Sequence, residues 1–212
     1  MAPPTERPEH ESARLAIAQL SLEDDADLSR AVARALEISG RTLGVSHVGV
    51  WVVGPQRDEL CAVAVHRPDP RTPERPRILP LASWPSYEAI FEQHRVVPIA
   101  DARTDPAVAE IWKSYLEPLR VGALLDAAVF VDGKVFAVVC HEHDHEPRAW
   151  TPSEIGFAAA VADMLSILFE RARRATVERE LRAREQDLAR ARRREMLVQM
   201  SAGIAHDFRN AL

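Results

Sequence analysis

The stretch ALLDAAVFVDGKVFAVVCHEH, residues 123–143, carries the strongest structural signal in the chain. Two apolar runs meet at Asp132 and Gly133, a dipeptide that suits a type I′ turn because both of its central residues need a positive φ. Apolar runs rich in β-branched and aromatic residues on either side of such a turn are typical of paired strands. The stretch therefore predicts a β-hairpin.

Further strands are predicted upstream of this hairpin. Residues 46–53 (SHVGVWVV) and 59–66 (ELCAVAVH) are two β-like runs joined by a short polar segment, which predicts an antiparallel pair. A shorter strand is expected at residues 95–100. Residues 67–80 contain five prolines among charged residues, and this composition predicts a surface loop.

Helices are predicted towards both ends of the chain. Apolar residues recur at three- and four-residue steps over residues 12–43. The sequence Thr-Pro-Ser-Glu at residues 151–154 is typical of a capped helix start, and a wide apolar stripe follows it. Short helices are expected at 83–93 and 106–117. Residues 1–11 contain three prolines and several charges, which predicts a disordered tail.

A long charged helix is predicted beyond residue 172. Residues 173–195 contain neither Gly nor Pro, and a helix that leaves a globular domain needs a partner helix. We therefore expect a parallel coiled coil and a homodimer. Arg184 falls on the apolar seam, which is otherwise formed by Val177, Leu181, Leu188 and Ala191. A shifted apolar stripe begins near Met196.

Composition and charge exclude several classes of protein. With 212 residues and 47% apolar content, the chain supports one substantial core with appendages. A net charge of −5 gives no sign of a nucleic-acid partner. The longest apolar stretch, residues 155–169, is too short to span a bilayer and is interrupted by Asp163. The N-terminus lacks a signal-peptide core, so we expect a cytoplasmic protein.

The two cysteines, Cys61 and Cys140, lie in apolar runs that read as strands. A reducing compartment keeps such residues as thiols. We therefore expect them to be buried structural thiols rather than a disulfide or a reactive pair.

Residues 26–172 resemble a GAF domain, above all in the segments VVPIADARTDPAVAEIWKSYLEPLRVGALLDAAVFVDGKVFAVVCHEH and RAWTPSEIGFAAAVADMLSILFE. The resemblance implies an α+β fold with an antiparallel sheet of about six strands. Terminal helices are expected on one face, and shorter helices and loops are expected to close a small-molecule pocket on the other. We assign the GAF sensor domain with its N-terminal helices to residues 12–172.

The resemblance gives no ligand identity. The sequence lacks a cyclic-nucleotide signature and a cysteine placed like that of bilin-binding relatives, whereas haem ligation through a histidine stays open. Binding sites are mostly apolar with a few polar anchors, although each candidate suits a plain core equally well. Seven residues are candidates for the pocket wall: Trp51, Trp84, Tyr87, Phe91, Trp112, Tyr115 and Leu125.

The C-terminal segment MSAGIAHDFRNAL, residues 200–212, resembles the H-box of the histidine kinase phospho-acceptor helix. The resemblance makes His206 the phospho-acceptor, Asp207 its base and Asn210 a residue that assists phosphatase chemistry. Arg209 departs from the pattern, since many relatives have Asn there. At about 100° per residue, His206 and Asn210 lie opposite the apolar stripe of residues 196–212.

The resemblance implies the sensory and dimerisation part of a two-component histidine kinase with a response regulator as partner. No Gly-rich nucleotide loop is present, so we expect residues 196–212 to be the truncated start of the phospho-acceptor helix. The chain alone is expected neither to bind ATP tightly nor to phosphorylate itself, and ATP acts only through the missing catalytic domain. One alternative is a ligand-binding adaptor. Another is a methionine sulfoxide reductase, since some GAF domains perform that reaction through pocket cysteines.

A histidine-rich strand end raises the question of a metal site. His141, His143 and His145 alternate with Glu142 and Asp144, and alternate residues of a strand project to one side. Three imidazoles suit zinc. A polar strand end running into a loop explains the same pattern, and we favour it over a metal site.

Overall fold

A computed structural model describes the backbone of residues 7–20 and 25–210 and the side chains of residues 7–20 and 27–194. An antiparallel sheet of six strands forms its centre, in the order β3-β2-β1-β6-β5-β4. The strands are β1 (His47–Val53), β2 (Leu60–His66), β3 (Ile78–Leu79), β4 (Val96–Ile99), β5 (Val121–Val131) and β6 (Lys134–Asp144). The α+β class and the sheet of about six strands are confirmed.

Helices of different lengths accompany the sheet. The α-helices are α1 (Pro8–Ala18), α2 (Asp25–Leu43), α3 (Pro85–Gln93), α4 (Ala109–Ile111) and α5 (Pro152–Asn210). Two 3₁₀ turns, Leu81–Ser83 and Pro106–Val108, and one π-helical turn, Trp112–Leu116, complete the connections. The single helix expected at 106–117 is therefore divided into a 3₁₀ turn, the short helix α4 and a π-helical turn. In the π-helical turn, Glu117 N–H bonds to the Trp112 carbonyl, five residues back.

The central hairpin has the expected turn. Asp132 and Gly133 both have positive φ, 50° and 71°, and Val131 pairs with Lys134 across the turn. The predicted hairpin is confirmed, and it sets the register of β5 against β6.

The two faces of the sheet support two separate cores. Alternate residues of a strand point to opposite faces. Leu125 and Ala127 of β5 therefore pack beneath the helices, whereas Leu124 and Ala128 pack on the opposite face. The helix-side core is completed by fully buried residues of α2 and α5, namely Val32, Ala35, Leu36, Phe157, Ala158, Val161, Ala162 and Leu165.

The start of α5 is capped as its sequence predicts. Thr151 N–H donates to Glu154 Oε2 at 2.8 Å, and Glu154 N–H donates back to Thr151 Oγ1 at 3.3 Å. Each bond satisfies a backbone donor that a helix start otherwise leaves unpaired.

The N-terminal segment is ordered further than its composition suggests. Residues 8–11, expected to be part of a disordered tail, form the first turn of α1. His10 is the reason: it is 1% exposed, its Nδ1 lies 2.9 Å from Ser153 Oγ, and its ring packs against Phe157 at 5.0 Å. Residues 1–6 lie outside the described residues.

The proline-rich segment is anchored at its centre and end. Residues 67–80 were expected to form a surface loop, yet Ile78 and Leu79 pair with β2, and Arg75 is 7% exposed. Buried carboxylates hold Arg75 in place, as described below.

Residues 171–210 form a unit separate from the sheet domain, which ends at Glu170. All of residues 171–210 belong to α5, and the side chains of residues 175–194 are exposed. Val177, Leu181 and Leu188 are 58%, 56% and 58% exposed in the single chain. Apolar residues at these positions are available for a partner helix.

Among the described residues, one helical segment, 152–194, is long and apolar enough in composition to qualify as a candidate membrane span. The most apolar window of this segment is 44% buried, and residues such as Phe157 and Leu165 face the sheet. A core helix passes the same test, so the segment is weak evidence for a span.

Two glycines allow a matched test of packing. A Cβ at Gly122 would lie 2.3 Å from the backbone oxygen of Glu146, whereas a Cβ at Gly156 meets nothing closer than Arg14 at 3.7 Å. Gly122→Ala is expected to lower the free energy of unfolding by about 1–3 kcal/mol because backbone must move. Gly156→Ala is expected to raise it by about 0.5–1 kcal/mol, as Ala does within helices. Urea denaturation of both variants measures the two signs, and equal effects would contradict the described packing.

Candidate functional site

A small cavity of about 20 Å³ lies on the face of the sheet opposite the long helices. Its wall is apolar except for a few groups on β5, β6 and the surrounding turns. Asp126, Cys140 and Glu142 line it together with four aromatic residues, Trp51, Trp84, Tyr87 and Tyr115. Convergence of polar groups in an apolar pocket is typical of a small-molecule site.

Asp126 is the most unusual group in this cavity. It is 1% exposed, and its Oδ2 accepts a hydrogen bond of 2.6 Å from the Tyr87 hydroxyl. Its Oδ1 is buried without a hydrogen-bond partner among the described residues. Burial raises the pKa of Asp126 to about 7, because a carboxylate loses its hydration there.

Cys140 lies beside Asp126. Its Sγ is 4.0 Å from the Tyr87 hydroxyl, and burial followed by the charges of Asp126 and Glu142 raises its pKa well above that of an ordinary thiol. Burial also raises the pKa of Cys61, with a further contribution from its contact with Glu59. Both cysteines are half-buried free thiols. The environment disfavours the thiolate that nucleophilic chemistry needs.

Glu142 connects the cavity to a second buried cluster. Its Oε1 accepts from the Tyr115 hydroxyl at 2.7 Å, and its Oε2 accepts from Arg75 Nε at 2.5 Å. Arg75 also donates to Asp144 Oδ1 at 2.9 Å, and the Arg75 side chain is 0% exposed. One guanidinium therefore neutralises two carboxylates and fixes the proline-rich loop to β6.

His47 lies at the far end of this cluster. Its Nδ1 is 3.6 Å from Asp144 Oδ2, and its Nε2 is 3.1 Å from the Pro73 carbonyl. Burial acts to raise the pKa of Asp144, but His47 and Arg75 together lower it below its ordinary value. His47, Glu142 and Asp144 form a group whose potential ligand atoms lie within 4.8 Å of one another. The Arg75 guanidinium pairs with both carboxylates of that group.

The floor of the cavity depends on a glycine. A Cβ at Gly49 would lie 2.2 Å from ring carbons of Trp51, so the indole lies flat over β1 only because residue 49 has no side chain. Trp51 is 1% exposed, and its Nε1 is a buried donor without a partner among the described residues.

Most of the candidate pocket residues lie in or beside the cavity. Trp51, Trp84, Tyr87 and Tyr115 line the cavity. Phe91 lines an adjacent cavity of about 30 Å³ that shares Tyr87, and Trp112 packs half-buried at the edge of the same core.

Leu125 is the exception. It faces the helix-side core, because strand alternation turns Asp126 and Leu124 towards the cavity instead.

The histidine-rich strand end does not bring its imidazoles together. His141 is fully buried on the helix side, with Nδ1 2.9 Å from the Leu125 carbonyl and Nε2 2.8 Å from Ser39 Oγ. The carbonyl can only accept, so Nδ1 carries the proton and Nε2 accepts from Ser39. Burial lowers the pKa of His141 to about 4, which keeps the ring neutral. His143 is half-buried and His145 is exposed.

A larger open groove of about 360 Å³ lies near Arg75 at the β2 edge. Arg67, Glu74 and Arg77 contribute to it, and Arg67 lies 3.6 Å from Glu74. We place the candidate site in the smaller cavity, because its mostly apolar lining includes both a buried acceptor, Asp126 Oδ1, and a buried donor, Trp51 Nε1, without partners among the described residues.

The candidate phospho-acceptor group cannot be placed in the same way. His206, Asp207 and Asn210 belong to the helical backbone of α5, and their side chains lie outside the described residues. Their assigned roles stay predictions.

Sequence reasoning missed Asp126, Arg75 and Gly49 as site residues. Asp126 did carry a signal, since it is the sole charge in the run ALLDAAVFV and an acidic residue is rarely buried without purpose. Arg75 carried none, because it is one arginine among several in a proline-rich segment.

Removing the Arg75 guanidinium tests the buried cluster. Arg75→Met leaves Glu142 and Asp144 without their cation, so the free energy of unfolding is expected to fall by about 3–5 kcal/mol. Arg77→Met is the control, because Arg77 is an exposed arginine two residues away in the same loop. Denaturant unfolding of both variants measures the difference. Similar losses of unfolding free energy in the two variants would show that the buried ion pairs of Arg75 do not stabilise the fold.

Asp126 gives the stability a defined pH dependence. Its folded pKa of about 7 is above its ordinary value of 3.8, so its favourable contribution is complete below pH 4 and lost as pH rises through 7. Integrated over that range, the loss is about 4 kcal/mol. Asp126→Asn is expected to remove this slope relative to the wild type, whereas Asp58→Asn, at an exposed position, should keep it. Unfolding free energies measured from pH 4 to 8 provide the comparison.

Comparisons with known proteins agree with this architecture. The GAF domain family model matches residues 27–169. No curated protein matches the chain in sequence.

Solved structures of similar fold include bilin-bound domains and an enzyme. The phycoerythrobilin-bound GAF domain from a cyanobacterial phytochrome has a TM-score of 0.68 at 17% identity, covering 79% of this chain and 98% of that one. The phycocyanobilin-bound GAF domain from a cyanobacterial phytochrome has a TM-score of 0.65 at 17% identity, covering 77% and 94%. The free methionine-R-sulfoxide reductase from Neisseria meningitidis, in complex with its substrate, has a TM-score of 0.60 at 15% identity, covering 78% and 89%. These structures share the fold, and the family model's match to residues 27–169, most of the chain, shows that the chain belongs to the GAF domain family.

Proposed function

We propose that this chain is the sensory and dimerisation part of a cytoplasmic two-component histidine kinase. A small molecule binds in the cavity around Asp126, and its binding controls phosphorylation of His206. The observation that carries the sensor role is the small cavity lined by a buried acceptor and a buried donor that have no partner among the described residues. Buried polar atoms without partners favour a ligand-bound state in which the ligand forms hydrogen bonds with them.

The strands between the cavity and α5 support a path for the signal. Asp126 faces the cavity, and its neighbours Leu125 and Ala127 pack in the core that contains Phe157 and Leu165 of α5. A displacement of the β5 backbone at Asp126 therefore changes packing against α5 directly. Coupling of this kind requires two arrangements with different affinity for the ligand.

The charged part of α5 supports the dimer. Val177, Leu181 and Leu188 are apolar residues more than half exposed in the single chain, at spacings of four and seven residues. A parallel partner helix would cover them. Arg184 lies on the same seam and weakens it.

The phosphotransfer role rests on the resemblance of residues 200–212 to an H-box. His206 would accept the γ-phosphoryl group of ATP from a histidine kinase catalytic domain, with Asp207 as base. Asn210 would assist phosphatase chemistry. A response regulator would then receive the phosphoryl group from His206.

The ligand is proposed to be small. Two of the structures of similar fold hold bilins. The cavity of this chain, about 20 Å³, has room for about one water molecule in the described arrangement. A bilin would require the wall formed by Trp84, Tyr87 and Tyr115 to move apart.

A ligand-binding adaptor is the second candidate. The family membership and the cavity support it equally, and it differs by giving His206 no role in phosphotransfer. A methionine sulfoxide reductase is the third, but the raised pKa values of Cys61 and Cys140 oppose it.

Phosphotransfer gives the decisive test. The chain is mixed with a separately expressed histidine kinase catalytic domain and labelled ATP, and we expect acid-labile label on the wild type. His206→Ala should abolish it, and His94→Ala, at an exposed histidine of the sheet domain, should keep it. Label that survives His206→Ala contradicts the acceptor assignment, and no label on the wild type favours the adaptor.

Dimerisation has its own test. Leu188→Lys places a charge on the proposed seam and should weaken the dimer at least about tenfold, since a buried unpaired charge costs several kcal/mol. Ala189→Lys changes the adjacent position away from the seam and should leave the dimer unchanged. Sedimentation equilibrium of both variants measures the dissociation constants, and a wild type that is monomeric at high concentration would overturn the dimer.

A further inference from the structure

Two polar atoms of opposite character on the wall of the same cavity have no hydrogen-bond partner among the described residues. Asp126 Oδ1 is an acceptor, and Trp51 Nε1 is a donor. Both residues are 1% exposed, so bulk water does not pair with them. The Cys140 thiol, a weak donor, interacts with the Asp126 carboxyl and acts to lower its pKa. The cavity therefore offers one free acceptor and one free donor to whatever enters it.

The charges around the cavity disfavour an ion. Both oxygens of Glu142 are already used, one by Tyr115 and one by Arg75, so this carboxylate is neutralised. An anion would face the Asp126 carboxyl without a cation to balance it. A cation would satisfy Asp126 but leave the Trp51 N–H pointing at no acceptor. An uncharged molecule with a donor and an acceptor satisfies both atoms.

The shape of the wall favours a flat group. The Trp51 indole lies flat on β1 over Gly49 and forms the floor. Trp84 stands at 90° to Tyr87 and is tilted by 50° to Tyr115, with ring centroids 6.4 and 6.3 Å apart. Aromatic walls of this kind accommodate a planar group with little loss of side-chain freedom.

We propose that the cavity binds a small uncharged ligand of the amide class, whose N–H donates to Asp126 Oδ1 and whose carbonyl accepts from Trp51 Nε1. This assignment deepens the proposed sensor function and rests on it for its biological use. Primary amides, lactams and ureas all carry this adjacent donor and acceptor.

The space for such a ligand comes from two neighbouring cavities. The cavity at Asp126 is about 20 Å³, and an adjacent one of about 30 Å³ shares Leu60 and Tyr87 with it. Movement of the Tyr87 side chain joins the two. Because Tyr87 also donates to Asp126, binding of an amide N–H replaces part of what that movement loses.

Three probes with the same heavy-atom skeleton separate the chemistry. Acetamide offers a donor and an acceptor, acetate is an anion with acceptors only, and acetamidinium is a cation with donors only. The full chain is labelled with ¹⁵N at its tryptophan indoles and titrated with each probe. Acetamide should shift the Trp51 signal saturably, with a dissociation constant of about 1 mM or tighter, which a ligand of four heavy atoms can reach. Acetate and acetamidinium should bind at least about tenfold more weakly.

The same spectrum contains its own control. Trp150 Nε1 already donates to the Ile99 carbonyl at 3.1 Å, so its signal should not move. An absent Trp51 shift with acetamide shows that acetamide does not bind in the cavity, and it overturns the proposal. Equal or tighter binding of acetate or acetamidinium overturns it as well.

Variants of the wall test the acceptor. Asp126→Ala should weaken acetamide binding about tenfold at Trp51, because one hydrogen bond to the ligand is lost. Asp58→Ala removes an exposed carboxyl outside the cavity and should not weaken it. If Asp126→Ala does not fold, Asp126→Asn serves, because its amide pairs with Tyr87 and leaves no carboxylate for the ligand.

Failure of this proposal is distinguishable from failure of the sensor kinase role. Acetamide binding without label on His206 leaves the ligand class standing and removes the kinase. Label on His206 without acetamide binding removes the ligand class only.

Discussion

The alternation of side chains along β5 and β6 is the constraint on which the rest of the structure depends. Asp126 and Glu142 face the cavity, whereas their neighbours Leu125 and His141 face the helices. A slip of one residue would exchange these sets and bury carboxylates beneath α2 and α5 without partners. The turn at Asp132 and Gly133 holds the register, since both residues adopt the positive φ that a two-residue connection requires.

Burial of acidic groups on one face then determines which loops become ordered. Glu142 and Asp144 need a cation, and Arg75 supplies it from a segment that would otherwise have little reason to adopt one conformation. Asp126 has no cation and raises its pKa instead, so it can hold a proton near neutrality. The two kinds of buried carboxylate therefore have different consequences. The carboxylates paired with Arg75 fix a loop, whereas Asp126 leaves an acceptor available.

Local features of the sequence predicted much of the fold, and distant contacts explain what was missed. The hairpin at Asp132 and the capping box at Glu154 depend on residues within four positions of each other. Arg75 and Glu142 are 67 positions apart, and His10 and Ser153 are 143 positions apart. No periodicity reveals such pairs. The side of β5 that faces the cavity, by contrast, could have been predicted from the sequence. An acidic residue in a buried strand is expected to face a polar site, and its neighbour Leu125 must then face the other way.

A sensor needs a ligand that stabilises one arrangement more than another. In the proposed sensor function, that difference in free energy would come from pairing two atoms that lack partners among the described residues, Asp126 Oδ1 and Trp51 Nε1. A ligand that pairs with both atoms would stabilise the described arrangement of the cavity relative to its competitors. Because Asp126 is one residue from Leu125, which packs in the core containing α5, that preference acts on the helix through a single peptide unit. The same strand thus contacts the cavity on one face and the core containing α5 on the other.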